Sequence, residues 1–277
     1  MWAMKLVWRA ARIPCILLLL TCWQAPILGM ALCRAAEPQG QPLAALQSPQ
    51  APLPPVTPVA AGKPAQVPDT MAQRLKACTA CHGPLGRAGP DGYYPRIAGK
   101  PAGYLYNQLV AFRDGARQYP PMRSLLTGMP AAYLREIAAF FASQHPGYAP
   151  PSISTAPPAT LARGRVLALD GDPDQKLPAC QACHGAILLG VEPAIPALIG
   201  LPRDYLNGQL GAWRNGRRSA RAPDCMAEVV RHLSDADANA VSAWLAATPV
   251  PAGALPAVQT EQKLPLECGS LAREGSP

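Results

Sequence analysis

Two stretches of this 277-residue chain repeat one arrangement, Cys78-Thr79-Ala80-Cys81-His82-Gly83 and Cys180-Gln181-Ala182-Cys183-His184-Gly185. Each sets two thiols and an imidazole within one short turn of backbone. That spacing is the covalent attachment pattern of c-type haem: each thiol meets a different vinyl group of one porphyrin, and the next residue swings its imidazole onto the iron. Cys-x-x-Cys pairs also serve structural zinc and thioredoxin-like dithiols. Neither use accounts for a histidine directly after both pairs, nor for the repetition around them. The expectation is two haem c groups (iron), held by Cys78 with Cys81 and by Cys180 with Cys183.

The repetition runs well past the cysteines. At an offset of 101 residues, Pro95-Arg96-Ile97-Ala98-Gly99-Lys100-Pro101 faces Pro196-Ala197-Leu198-Ile199-Gly200-Leu201-Pro202, and the stretch from Tyr104 to Gly115 faces Tyr205 to Gly216. Two related domains follow. Tyr104, Leu105, Leu109 and Phe112, like Tyr205, Leu206, Leu210 and Trp213, recur at helical spacing and stop at a glycine. Further helices are expected around 70–80 and 159–168, before the cysteines, and over 131–143 and 234–247, where Ser234 with Asp237 resembles a capping box. No stretch alternates as a strand does, so both domains read as all-α. Units of about 80–90 residues have a marginal core of their own. A large apolar ligand tethered by two thioethers would become the centre of that core.

His82 and His184 are the proximal ligands this pattern supplies. For the opposite face of each iron, His145 and His232 do not align with one another and read as surface or capping residues. A methionine thioether suits a low-spin iron that exchanges electrons. Met226 is the one methionine after the second motif; it precedes Trp244 by 18 residues, as Met122 precedes Phe140 by 18. Met122 and Met226 are therefore the distal candidates, and Met129, which aligns with Leu233, reads as packing. Pro95 and Pro196 admit two readings: an ordinary turn proline, or a carbonyl that accepts the proximal imidazole N–H and orients it.

With paired Cys-x-x-Cys-His-Gly motifs, Pro-x-x-x-Gly turns, Tyr-Leu-x-x-Gln-Leu-x-x-aromatic-Arg-x-Gly helices and methionines before the last helices, residues 69–249 resemble the dihaem cytochrome c4 family. The resemblance implies two tandem class I cytochrome c domains that pass electrons toward terminal oxidases from the periplasm or the periplasmic face of the inner membrane. It maps the haem cysteines onto Cys78, Cys81, Cys180 and Cys183 and the axial pairs onto His82 with Met122 and His184 with Met226. The first domain departs from the pattern at Met129-Pro130-Ala131-Ala132, where the second has Leu233-Ser234-Asp235-Ala236.

Lys5, Arg9 and Arg12 precede an apolar run over 13–33, so residues 1–36 read as a signal peptide or a membrane anchor that exports the rest. Nine prolines between Glu37 and Pro68 make 37–68 an extended spacer. Domains are expected at 69–148 and 159–249, with a Pro-rich hinge at 149–158 and a disordered tail at 250–277. Outside the leader and the haem motifs, Cys225 and Cys268 remain; in an oxidising compartment they can pair, which would pin Met226. The net charge of +8 divides unevenly: residues 69–150 hold nine basic and four acidic residues, whereas 151–250 hold nine of each. The first domain is thus the basic one, suited to an acidic partner, with Lys76 and Arg117 read as surface charges and Arg218 as their counterpart in the second. Nucleic acid is a poor reading for charge that sits on exported haem domains.

Six-coordinate irons leave no open position for a substrate, and no nucleophile–base pair stands elsewhere, so the chain reads as an electron carrier with no catalytic residues. Its expected partners are redox proteins, a membrane oxidase or a dehydrogenase, with membrane attachment through 13–33 as an option. The alternatives are the cytochrome subunit of a dehydrogenase complex and a dihaem peroxidase; the latter needs a displaceable distal ligand.

Overall fold

The structure, a computed structural model, describes residues 68–89, 91–258 and 263–271. The leader and the Pro-rich arm up to residue 67 lie outside the described residues. The first domain contains α1 (Met71–Arg74), α2 (Lys76–His82), α3 (Ala102–Asp114), α4 (Pro120–Leu126) and α5 (Ala131–Ala142). The second contains α6 (Pro158–Leu169), α7 (Gln181–His184), α8 (Arg203–Arg214), α9 (Cys225–His232) and α10 (Asp235–Ala247). Among the described residues there is no strand, only isolated bridges, so the all-α reading holds. No described helix is long and apolar enough to cross a membrane.

The helix expected over 70–80 is broken at Leu75, whose side chain is 2% exposed. Leu75 anchors the turn in a core with Leu105, Leu134, Ile137 and Phe141, and the Cys-His motif rides on the helix that resumes after it. In the second domain residues 170–179, which include a 3-10 turn at Pro173–Gln175, separate α6 from the motif, and α7 is a single turn of helix. There Leu167, Leu189, Ile199, Leu206, Val241 and Leu245 form the core. A Cβ at Gly164 would lie 2.1 Å from the Ala240 carbonyl oxygen, so glycine is what lets α6 and α10 touch backbone to backbone.

The capping box at α10 forms by half. Ser234 Oγ accepts from Asp237 N at 3.0 Å, but the Asp237 carboxylate turns to Arg163 of α6, with Nε to Oδ1 at 2.7 Å. Arg163 also holds Asp172 at 2.7 Å. An ion pair across two packed helices outcompetes the local backbone donor.

Two helices, α4 and α9, were not expected. Pro120 and Pro121 occupy the first helical positions of α4, where a missing N–H costs nothing. Asp224 caps α9 by accepting from Ala227 N at 3.0 Å. Met122 and Met226 therefore stand on first turns of helices.

Arg117 and Arg218, read above as surface charges, are not on the surface. Their backbones form an antiparallel bridge between the domains, with Gln118 N to Arg217 O and Ser219 N to Ala116 O both at 2.8 Å. Arg117 donates to Tyr205 Oη at 3.1 Å and Gln209 Oε1 at 2.6 Å. Arg218, 6% exposed, donates to Gln108 Oε1 at 2.9 Å. Polar side chains of the opposite domain, invisible in local composition, draw both arginines inward.

The disordered tail is also corrected where the tail is described. Cys268 pairs with Cys225 across 43 residues of sequence, Cα to Cα 5.1 Å. Gly269 N donates to Pro223 O at 2.9 Å, and Glu192 N donates to Ala257 O at 2.8 Å. Asn107 of α3 reaches Ser270 O at 3.0 Å. A covalent link and backbone hydrogen bonds hold the described part of the tail in place.

Candidate functional site

The cysteines and histidines of both motifs arrive on helix ends, α2 closing with His82 and α7 with His184. Each imidazole is buried, His82 at 9% and His184 at 7% exposure. His82 Nδ1 lies 2.8 Å from Pro95 O, and His184 Nδ1 lies 2.8 Å from Pro196 O. A carbonyl can only accept, so Nδ1 carries the proton in both rings and Nε2 keeps its lone pair. Burial lowers the basicity of both histidines, against the opposing pull of the proline carbonyls. Both rings are therefore neutral at neutral pH, the form that binds a metal. Of the two readings of Pro95 and Pro196, the orienting carbonyl is the one the structure makes, twice.

The second domain encloses a cavity of about 420 Å³ lined by Cys180, Cys183, His184 and Met226 with apolar residues such as Leu206, Leu210 and Val241. That volume falls in the roughly 300–1,000 Å³ range of cofactor pockets. Burial pushes the Cys180 thiol up to about 11, and raises Cys78 and Cys183 as well. A redox dithiol or a thiolate metal site requires the opposite shift. Among the described residues no group of three or more His, Cys, Asp or Glu is arranged to hold a metal ion. An apolar pocket with two thiols, a proton-fixed imidazole and a thioether is the donor set that fits haem c. In the first domain Cys78, Met122 and Met129 pack against the Leu75 and Leu134 core, and Cys81 is exposed.

Met129 occupies the place of Leu233. Each stands directly before the N-cap residue of its last helix, Pro130 or Ser234. The Met129 carbonyl accepts from Arg113 Nη1 at 3.1 Å, and the Leu233 carbonyl accepts from Arg214 Nη2 at 2.6 Å. His232 bonds Glu228 Oε1 at 3.1 Å, one turn back on α9. His145 lies against Gly99, past the end of α5.

Sequence reasoning missed several contributors to this region. Lys100, 7% exposed, lines the second-domain cavity from the first domain, as do Tyr104 and Gln108; Leu266, Cys268 and Ser270 of the tail line it too. Arg117 and Arg218 stand two residues past the glycine where the aligned block was closed, at the same offset of 101. Extending the repeat by those two positions would have exposed the pair.

No known protein-family model matches the chain. It is 38% identical over 174 residues to a thiosulfate dehydrogenase electron acceptor of Thiomonas intermedia (strain K12), a match covering 63% of this chain and 79% of that protein. It is 34% identical over 181 residues to cytochrome c4 of Pseudomonas aeruginosa, covering 64% and 87% respectively. Among solved structures it is similar to reduced recombinant cytochrome c4 from Pseudomonas stutzeri, with a TM-score of 0.54, 31% identity and coverage of 63% of this chain and 94% of that one. With its two helical domains, its repeated cysteine-histidine motifs and these relatives, the chain belongs to the dihaem cytochrome c4 family: it carries two covalently attached haem c groups and transfers electrons between redox partners.

Proposed function

We propose that this cytochrome is the periplasmic electron acceptor of a dehydrogenase acting on thiosulfate, and that it passes electrons onward to a membrane oxidase or reductase. It is a carrier in this reading, not an enzyme. The observation that carries it is the 38% identity to the Thiomonas intermedia protein over most of that protein's length. The chain holds one haem through Cys78 and Cys81 with axial ligands His82 and Met122, the other through Cys180 and Cys183 with His184 and Met226. Haem bound in this way supplies a one-electron ferric–ferrous couple.

The chain's own residues fix the conditions of that exchange. The Pro95 and Pro196 carbonyls lock each imidazole in one tautomer and one orientation, which limits reorganisation when charge changes. The equivalence of Met129 with Leu233, seen in their shared arginine contacts, supports Met122 as the counterpart of Met226. A peroxidase would need an open or displaceable distal site. Met226 in the cavity wall and the disulfide beside it favour a closed one. The limits 69–148 and 159–249 for the two domains, and attachment to the membrane through 13–33, belong to the same reading.

The test is stopped-flow mixing of the ferric protein with a thiosulfate dehydrogenase and thiosulfate. Rapid appearance of the reduced α-band, absent with thiosulfate alone, is the expected result. No reduction on any timescale faster than the thiosulfate control overturns the assignment of donor.

A further inference from the structure

Lys100 belongs to the first domain by sequence, yet it lines the cavity that holds Cys180, Cys183, His184 and Met226 and none of Cys78, Cys81, His82 or Met122. It is held there firmly. Three residues on, Gly103 N donates to Pro193 O at 3.0 Å, and a Cβ at Gly103 would come within 2.7 Å of that oxygen. The start of α3 is therefore pressed against the loop whose Pro196 carbonyl orients His184.

This ammonium has unfavourable company. Burial draws it down to about 8; the Tyr104 hydroxyl acts in favour of its charge, and Arg96, Arg117 and Arg218 act against it. Among the described residues its partner is the Tyr104 ring, 6.0 Å from Nζ to centroid, with no carboxylate in reach. Packing does not demand a cation here, because the repeat places Leu201 at the matching position. Burying an ammonium beside three guanidinium groups with no carboxylate to pair it is costly, and such groups persist where an anion or a functional charge effect offsets the cost.

We infer that Lys100 is a charge contact supplied by the first domain to the second haem's site, a cation that would pair with the carboxylates of that haem and bias its iron toward the ferrous state. The inference rests on the reading of Cys180, Cys183, His184 and Met226 as that haem's site. The sign follows from charge. A nearby cation favours the less positive form of the centre, ferrous over ferric, and so raises the potential. The matching residue Leu201 carries no charge, so the two halves of the duplication differ in electrostatics at this point.

The test is spectroelectrochemical titration of the full dihaem protein carrying Lys100→Met, Lys100→Gln or Lys100→Arg. The potentials are assigned to haems by the Met226→Ala variant, and a pyridine haemochrome ratio of two haems per chain is checked for each protein. The expected result is a downward shift of the potential assigned to the His184 haem in K100M and K100Q, a smaller shift or none at the His82 haem, and values near the unsubstituted protein in K100R. Equal shifts at both haems, a larger shift at the His82 haem, or no shift overturns the inference. Failure of the underlying site reading shows itself separately, as both near-infrared bands surviving Met226→Ala.

Discussion

Arg117 and Arg218 occupy the same place in the two halves of the chain and reach across the domain boundary in opposite directions, Arg117 Nη2 to Gln209 Oε1 at 2.6 Å and Arg218 Nη2 to Gln108 Oε1 at 2.9 Å. Each glutamine oxygen also accepts from the arginine of its own domain, at 3.0 Å and 2.8 Å. Two cations thus share two amide oxygens, and each arginine stacks on an aromatic ring of the helix that precedes it, Phe112 of α3 at 4.4 Å and Trp213 of α8 at 3.8 Å. Hydrogen bonds from charged donors contribute about 1.5–3 kcal/mol each. Arg117→Ala and Gln209→Ala should each destabilise the domain pair, and their combination should cost less than the sum, with a coupling of about 0.5–3 kcal/mol. Denaturant unfolding of the four proteins of this cycle measures it; strict additivity would mean that the contact does not bind the domains together.

Met122→Ala and Met226→Ala should each remove the weak near-infrared sulfur-to-iron band of one haem and lower that haem's potential, because a thioether ligand favours ferrous iron. Met129→Ala should leave both bands and cost only packing. Absorption spectra of the ferric variants decide between Met122 and Met129, and loss of a band in the Met129 variant alone would reverse the assignment in the first domain.

The disulfide ties the tail to the first residue of α9, next to Met226. Closing a loop spanning 43 residues restricts the unfolded chain, which by the chain-entropy relation corresponds to about 4 kcal/mol. Cys268→Ser should lower the stability of the second domain by up to that amount and leave the first domain's unfolding unchanged. It should also let carbon monoxide bind the ferrous second haem more readily, since α9 is no longer tethered. Equal carbon monoxide uptake by variant and parent would show that the tail does not restrain the ligand helix.

Arg163 holds Asp237 and Asp172 below the ordinary carboxylate range through hydrogen bonds and charge. Carboxyl groups depressed on folding stabilise the fold above their unfolded value of about 3.9 and lose that contribution as pH falls through the folded one. The packing of α6 on α10 should therefore loosen below about pH 4. In Arg163→Ala the second domain should be less stable at pH 7 and lose less on acidification. Thermal unfolding followed between pH 7 and pH 3 reads both effects.

Basic charge in the first domain is partly internal. Of its nine basic residues, Arg96 and Lys100 are buried and Arg117 is held in the domain interface, leaving six outside against four acidic. Lys76 and Arg123 are exposed. Lys76→Glu and Arg123→Glu should slow electron exchange with an acidic partner and leave both potentials nearly unchanged. The effect should shrink as salt rises, since exposed charges are screened beyond about 8 Å at physiological ionic strength. Stopped-flow rates across ionic strength check this, and a rate indifferent to salt would place the docking surface elsewhere.

The haem motifs, the duplication, the helices that flank them and the all-α character were legible in the sequence, because each is written in short-range spacing. Two cysteines and a histidine within five residues define their chemistry wherever they fold, and a helix announces itself at intervals of three and four. The first-turn positions of Met122 and Met226 were not legible. The proline pair that starts α4 and the Asp224 cap of α9 are local signals weaker than the apolar period of a long helix. What tertiary structure alone decided is everything that depends on which residues meet from far apart. Asp237 left its capping box for Arg163, 74 residues away. Cys268 found Cys225 and fixed the described part of the tail beside α9. Arg117, Arg218 and Lys100 look like surface charges when each is read in its own local sequence, since burial of a cation is set by partners in another domain. Spacing along the chain carries local chemistry, and only folding brings distant donors and acceptors close enough for their energies to choose a side chain's place.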